Sequence, residues 1–332
     1  MLQNRFVLSV TVLLACVAPV SHAQDTNPKT AYLTAEAAGP VADIQGEYAG
    51  EVPSDDGPVR VGVQIVAVGT DKLKYAAYMG GLPGDGWDGN EPVRGEGRVE
   101  GTVGHVSSEY ARAEIREGSL FVYSNDSVRL AEFSKVQRTS PTEGRPAPEG
   151  AVVLFDGTSA DAFEGGRLSE DGLLMEGVTS HQKFGSYELH LEFRLAFMPY
   201  AQGQARSNSG CYLQGRYEVQ ILDSFGLTGE SNECGGIYEI SRPAVNMCFP
   251  PLRWQTYDIE YHAAKFAANG EKSEDAWMTV RHNGVVVQEH VRLPRATRAS
   301  PVPEGPQPGP VYLQNHGDPL RFRNIWVKPL GD

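Results

Sequence analysis

Tyr187-Glu-Leu-His-Leu-Glu-Phe-Arg-Leu195 alternates strictly between apolar and polar side chains. In an extended chain, Tyr187, Leu189, Leu191, Phe193 and Leu195 fall on one side, and Glu188, His190, Glu192 and Arg194 on the other. This period of two predicts a strand with one face in a core and the other toward water. Asn283-Gly284 separates two further β-type runs, 277–282 and 285–291, and is a strong hairpin signal. Upstream, short β-type runs recur at 59–68, 73–79, 111–115, 119–123 and 128–136, as in an antiparallel barrel or sandwich. Helical periodicity is nearly absent, and 37 glycines and 22 prolines supply the turns of an all-β chain.

Working outward, the 332 residues divide by composition. Arg5, an apolar run over 6–20 and Ser21-His22-Ala23 before Gln24 have the form of a secretory signal peptide, 1–23. The run is too short for a membrane span, and no later segment is long enough. Leu13-Leu14-Ala15-Cys16 fits a lipoprotein box poorly, so a periplasmic or secreted protein is expected. Residues 24–40 read as a flexible lead, 41–138 as a small β domain, 139–150 as a Pro-rich linker and 151–332 as a second β domain. A formal charge of −13 argues against a nucleic-acid footprint and against an anionic membrane surface.

Export alters the reading of the cysteines. An oxidising compartment favours one disulfide among Cys211, Cys234 and Cys248. Cys211 lies in an alternating stretch as a buried thiol. A Cys234–Cys248 bridge is therefore expected, worth roughly 3 kcal/mol. No cysteine pair has zinc-site spacing, and no metal is assigned. Gly80-Gly-Leu-Pro-Gly-Asp-Gly-Trp-Asp-Gly89 is read as a structural turn, with a calcium or sugar site as its alternative.

The polar residues that repeat at strand spacing lie in the second domain. Asn208, Gly210, Tyr212 and Gln214 share one face, as do Glu218 and Gln220, with Asp223 joining them if a bulge falls near Ile221-Leu222. Tyr312, Gln314 and His316 share another. Such repetition points to one wet, concave sheet face.

Four segments together resemble the 3-keto-disaccharide hydrolase family over about 150–330: Phe184-Gly-Ser-Tyr-Glu-Leu-His-Leu-Glu-Phe-Arg194, Asn208-Ser-Gly210, Tyr217-Glu-Val-Gln-Ile-Leu-Asp223, and Leu313-Gln-Asn-His-Gly317 with Phe322-Arg-Asn-Ile325. The resemblance implies a jelly-roll sandwich like the concanavalin-type lectins and family-16 glucanases, and action on 3-keto glycosides. The first domain resembles the β-rich module that precedes this domain in some members. Glu218-x-Gln220-x-x-Asp223 keeps the spacing of the glucanase motif but replaces its central acid with Gln and its last Glu with Asp. A retaining carboxylate pair needs ~5–5.5 Å between carboxyls, and the shorter Asp223 weakens that route.

A ketone at C3 offers another. It acidifies the hydrogen on C2, so a base can remove that hydrogen, the C1 substituent can leave and water can add. Glu218 and His316 are the candidate bases, aided by Asp223. Asn208, Gln214, Gln220 and Arg323 are candidate donors to substrate, and Tyr238 and Trp254 candidate stacking platforms. Each has a structural alternative: an ion pair for Asp223 and Arg323, a braced turn for Asn208 and His316, core closure for the aromatics. His181, His190 and His262 read as surface or edge residues. No cofactor is assigned beyond a possible structural calcium. The partner is a glycoside, and the oligomeric state is unassigned. The competing class is a non-catalytic carbohydrate-binding or adhesion protein on the same sandwich.

Overall fold

Short β-type runs joined by turns fill residues 46–136, and the strands they form close on themselves. The computed structural model describes residues 26–331, so the signal segment lies outside the described residues. Two short helices, α1 (Ala35–Ala38) and α2 (Pro40–Ile44), precede eight strands. These are β1 (Gly46–Val52), β2 (Val59–Val68), β3 (Lys72–Met79), β4 (Val93–Glu100), β5 (Val103–Ser107), β6 (Arg112–Arg116), β7 (Ser119–Tyr123) and β8 (Arg129–Val136). Each pairs antiparallel with its neighbour in sequence, and β1 pairs with β8, so the sheet is a closed up-and-down barrel with no free edge.

The rest is a two-sheet sandwich. β9 (Val152–Phe155), β10 (Phe163–Glu164), β11 (Leu174–Met175), β12 (Val178–Phe184) and β13 (Tyr187–Arg194) are followed by β14 (Asn208–Leu213) and β15 (Tyr217–Leu222). Then come β16 (Trp254–His262), the small pair β17 (Lys265–Phe266) and β18 (Lys272–Glu274), and β19 (Ala276–His282), β20 (Val285–Leu293), β21 (Gly309–Leu313) and β22 (Arg321–Pro329). One sheet runs β10-β12-β21-β14-β15. The other runs β11-β22-β13-β16-β19-β20, with β9 beside β22. The all-β, concanavalin-like sandwich expected from the sequence is present, behind a barrel. The Asn283-Gly284 hairpin joins β19 to β20, with both residues at positive φ as the tight turn requires.

The core lies between the two sheets. Leu189, Leu191 and Phe193 of β13 meet Cys211, Leu213, Val219 and Ile221 of β14 and β15 there, all fully buried. The polar side of β13 departs from expectation. His190 and Glu192 do not face water: both side chains are 0% exposed. The stretch read as a spacer covers them. Gly144 N donates to Glu192 Oε1 at 2.6 Å and Thr142 Oγ1 to Asp258 Oδ2 at 2.6 Å. Arg323 Nη2 holds Glu143 Oε1 at 2.7 Å, and Ser140 and Thr256 hydroxyls meet at 2.6 Å. The linker is thus strapped onto the outer face of β13, β16 and β22.

The lead is also packed rather than free in its described part. Tyr32 bridges Phe197, Thr34 caps α1, and Ala38 and Val41 pack with Ala67 and Phe197. Small apolar residues there suit close approach to the chain rather than a solvated tail.

The expected Cys234–Cys248 disulfide is absent. All three cysteines among the described residues are free, buried thiols. The two sulfurs are nonetheless neighbours, hydrogen-bonded to each other as thiols, and Cys234 Sγ also sits 3.2 Å from the Tyr257 hydroxyl and Cys248 Sγ 3.5 Å from the Leu222 carbonyl. Cys211 is the buried thiol expected.

The strap depends on Glu192. Burial opposes its ionisation, but hydrogen bonds from His190, Asn324, the Gly144 backbone and Arg323 outweigh that and hold its pKa at about 2. Glu192→Ala removes the carboxylate that Arg323 and His190 share, leaving Arg323 only Glu143 and His190 only Asp258, and is expected to cost about 3–5 kcal/mol in urea unfolding. The same variant should open residues 140–150 to proteolysis. Unchanged stability together with an uncut strap would contradict this role.

Candidate active site

The second polar surface is the outer face of the five-stranded sheet. Because Cys211, Val219 and Ile221 point into the core, alternation turns Asn208, Gly210, Tyr212, Glu218 and Gln220 to the opposite side. Register places Gly210 opposite Gln220, and Tyr212 opposite both Glu218 and Tyr312. The Glu218 carboxyl lies over Gly210, where any Cβ would meet Glu218 Oε1 at 2.2 Å. A glycine is needed there for the carboxyl to occupy that position.

Tyr212 OH donates to Glu218 Oε2 at 2.8 Å, and Gln314 Nε2 reaches Tyr212 OH at 3.3 Å. The loop 230–241 runs along the free edge of β15, with Tyr238 N on Glu218 O at 3.1 Å and Gly236 O accepting from Gln220 N at 2.9 Å. Glu218 is 3% exposed. Burial raises its pKa to about 7, the Tyr212 hydrogen bond compensating only in part. A carboxyl poised near neutrality, with one hydrogen-bonding hydroxyl, is suited to taking and returning a proton.

Around it, Gln204 accepts from Gln220 Nε2 at 3.0 Å, and its backbone oxygen accepts from Asn208 Nδ2 at 2.7 Å. Asn208 Oδ1 and Gln314 Oε1 are buried acceptors with no hydrogen-bond partner in the protein. Unsatisfied buried acceptors are rare, and two on one sheet face suit ligand hydroxyls. Tyr238 is half-buried beside this group, and His316 is exposed at the rim, just past β21.

Four other expected site residues lie elsewhere. Asp223 is past the end of β15 and binds Arg206 Nε through Oδ2 at 2.6 Å, a buried ion pair rather than a second carboxylate beside Glu218. Gln214 is the left-handed turn residue after β14. Its amide is consumed by the Phe184 carbonyl, Arg216 and Tyr261. Trp254 and Arg323 belong to the other sheet, where the Arg323 guanidinium stacks 4.0 Å above Trp254 and pairs with Glu192 at 2.6 Å. His190, read as a surface residue, is buried between Asp258 and Glu192.

Tyr212 and Gln204 were missed. Tyr212 was legible by parity, since it is two residues from Asn208-x-Gly210 and opposite Glu218. Gln204 lies in a short 3₁₀ turn, Gly203–Ala205, that no strand pattern reveals. In the first domain, Asp85 pairs with Arg60 at 2.7 Å, and Trp87 packs edge-on against Tyr78. Among the described residues no group of three or more His, Cys, Asp or Glu is placed to hold a metal ion.

Residues 150–328 match the family described as the 3-keto-alpha-glucoside-1,2-lyase-like domain, and the chain belongs to that family. A crystal structure of a "putative glycosyl hydrolase" from Parabacteroides distasonis is 36% identical, with a TM-score of 0.50 over 55% of this chain and 85% of that one. Two other structures under the same description, from the same organism, are 17% and 21% identical. Their TM-scores are 0.41 and 0.40, and they cover 59% and 54% of this chain and 99% of each of theirs. No curated protein matches the chain. Family and neighbour together support a carbohydrate-active hydrolase or lyase.

The raised pKa of Glu218 carries a stability signature. Between its ordinary 4.5 and about 7, the folded state keeps a proton that the unfolded state has lost. Stability therefore falls as pH rises through that window, by on the order of 3 kcal/mol in full. Glu218→Gln lacks this slope. Its melting temperature should gain on wild type from about pH 5 to about pH 8. Parallel profiles would place the Glu218 pKa at its ordinary value.

Proposed function

We propose that residues 150–328 cleave 3-keto glycosides by elimination and hydration, with Glu218 as the base. The observation carrying this reading is a lone buried carboxyl, poised near pH 7 and bonded to Tyr212, on the wet face of a 3-keto-glucoside lyase-like domain. A retaining mechanism needs a second carboxylate nearby, and Asp223 is already committed to Arg206.

In the proposed reaction, the Glu218 carboxylate takes the C2 proton of the 3-keto sugar. The C2–H electron pair moves into the C2–C3 bond, and the ketone oxygen becomes an enolate. As Glu218 gains the proton, Tyr212 no longer faces a carboxylate and its hydroxyl is released to donate to that oxygen. Collapse of the enolate forms the C1–C2 double bond and breaks the bond from C1 to the leaving oxygen, which takes a proton from Glu218 or water. Water then adds at C1, and a proton returns to C2. Asn208 Oδ1 and Gln314 Oε1 accept from sugar hydroxyls, Gln220 braces Gln204, and Tyr238 offers a ring at the site's edge. His316 at the rim is the second candidate base. Export to the periplasm or beyond belongs to this reading and rests on residues 1–23.

Turnover should require the ketone. A 3-keto glucoside should be cleaved and its parent glucoside left intact in product analysis, with solvent deuterium appearing at C2. Glu218→Gln should lower the rate ~10²–10⁴-fold, with His316→Ala retaining most activity. Cleavage of the parent glucoside with a trapped glycosyl ester on Glu218 would overturn the mechanism. Sugar binding without turnover of either compound would identify a carbohydrate-binding protein instead.

A further inference from the structure

The barrel has a hollow interior. Six inward positions are small among larger ones such as Tyr48, Ile65, Leu73 and Ile115: Gly50 of β1, Gly95 and Gly97 of β4, Gly104 of β5, Ala77 of β3 and Ala113 of β6 share the parity of the buried Val63, Tyr75 and Val106. The Phe133 and Tyr75 rings lie flat across Gly50 and Gly95, where a Cβ would meet them at 2.2 Å and 2.6 Å. With the rings folded against the wall, a cavity of about 160 Å³ remains. Val63, Val106, Ala113, Leu120, Val122 and Phe133 are among the side chains that line it.

One end is sealed. Ile44 at the end of α2 meets Leu73 and Ile115 over Gly104, all three within 3.1 Å of where its Cβ would stand. The other end is the mouth, bounded by Ser107, Ser108 and Arg112 around the β5–β6 connection. Tyr110 at the tip of that connection is 73% exposed. Inside, polar chemistry is confined to the rim. Tyr75 OH donates to the Ser107 carbonyl at 3.1 Å, and the Ser108 side chain is within hydrogen-bond reach of the same oxygen, so a guest hydroxyl donating there shares the oxygen with Ser108 or displaces it.

A lumen of this size and lining matches a single ring. Apolar cavities of ~150 Å³ hold benzene, and eight-stranded barrels are just wide enough for one small ligand. A sugar does not fit this chemistry, because its several hydroxyls would be buried against valine and leucine without partners. We propose that the barrel lumen is a binding site for a single-ring, largely apolar molecule bearing at most one hydroxyl, of which phenol is the simplest example. The site is separate from the face around Glu218 and does not depend on the reaction proposed there.

The test is a titration of the full chain, methyl-labelled at Val and Leu, with phenol, toluene and glucose, followed by NMR. Phenol and toluene should shift the methyls of Val63, Val106, Leu120 and Val122 saturably, and glucose should leave those methyls unmoved. Tyr75→Phe should weaken phenol about 2–10-fold, the loss of one hydrogen bond, and leave toluene unchanged. Ala113→Leu, which fills the lumen, should weaken both by more than tenfold. If that variant does not fold, the wild-type titration and Tyr75→Phe decide the matter. No saturable shift of the lumen methyls up to the solubility limit of phenol, or equal shifts with glucose, would overturn the proposal.

Discussion

Two buried glutamates divide this sandwich into a structural side and a reactive side, and the difference lies in how many donors each carboxylate meets. Glu192 accepts from a backbone amide, Arg323 and Asn324 and faces His190, so its charge is compensated and its pKa sits at about 2. Glu218 accepts one side-chain hydrogen bond, from a tyrosine that is itself neutral, and its pKa sits at about 7. Both are nearly closed to solvent, with the deeper desolvation on Glu218 adding to its lack of donors. Saturation turns the first into an anchor, and the lack of it leaves the second with a proton to exchange.

The anchor sets the architecture around it. The strap covers the outer face of β13, β16 and β22 around His190, Glu192 and Asp258, while Glu260 and Arg281 further along the same sheet stay exposed, and the barrel preceding the strap is held against the sandwich. Arg138 at the start of the strap binds Glu47 of β1 in two hydrogen bonds and Pro83 in a third. Arg94 of β4 reaches the Gly226 carbonyl at 2.6 Å. A polar surface suited to a substrate lies on the opposite sheet, where β14 and β15 carry Asn208, Tyr212 and Glu218, with Gln314 just past β21.

This division explains which parts of the molecule the sequence made legible. Period-two alternation located the strands, and the Asn283-Gly284 turn was fixed by local backbone chemistry. Glu218, Gln220 and Asn208 were readable because parity along a strand assigns a face without knowledge of the partner strand. What failed were inferences needing a third element. The alternation of β13 implied a wet face, yet segment 139–150 covers it, and a Pro-rich polar sequence looks the same whether it spans a gap or lies on a surface. Arg323 and Trp254 have residue types common in sugar sites but belong to the other sheet. Asp223 kept the right spacing, but Arg206, seventeen residues away, had already claimed it. The cysteine pairing was inferred from compartment and loop length; the two sulfurs it named are neighbours, but as hydrogen-bonded thiols without a bridge.

The same reasoning separates the two candidate binding surfaces by chemistry. A polyhydroxylated ligand needs several fixed donors and acceptors, and the face around Glu218 has them, down to two buried carbonyl oxygens without partners. The barrel lumen sets the Tyr75 hydroxyl among valines, a leucine and a phenylalanine, with Ser107, Ser108 and Arg112 confined to its mouth. Glycine serves opposite ends in the two places. Gly210 lets a carboxyl approach the backbone, where it loses solvent and gains a raised pKa. Gly50 and Gly95 let aromatic rings lie back against a wall, which opens space without polar groups. The glycines that mark the chain from composition alone as rich in turns therefore also decide, at a few positions inside strands, where it is hollow and where it is reactive.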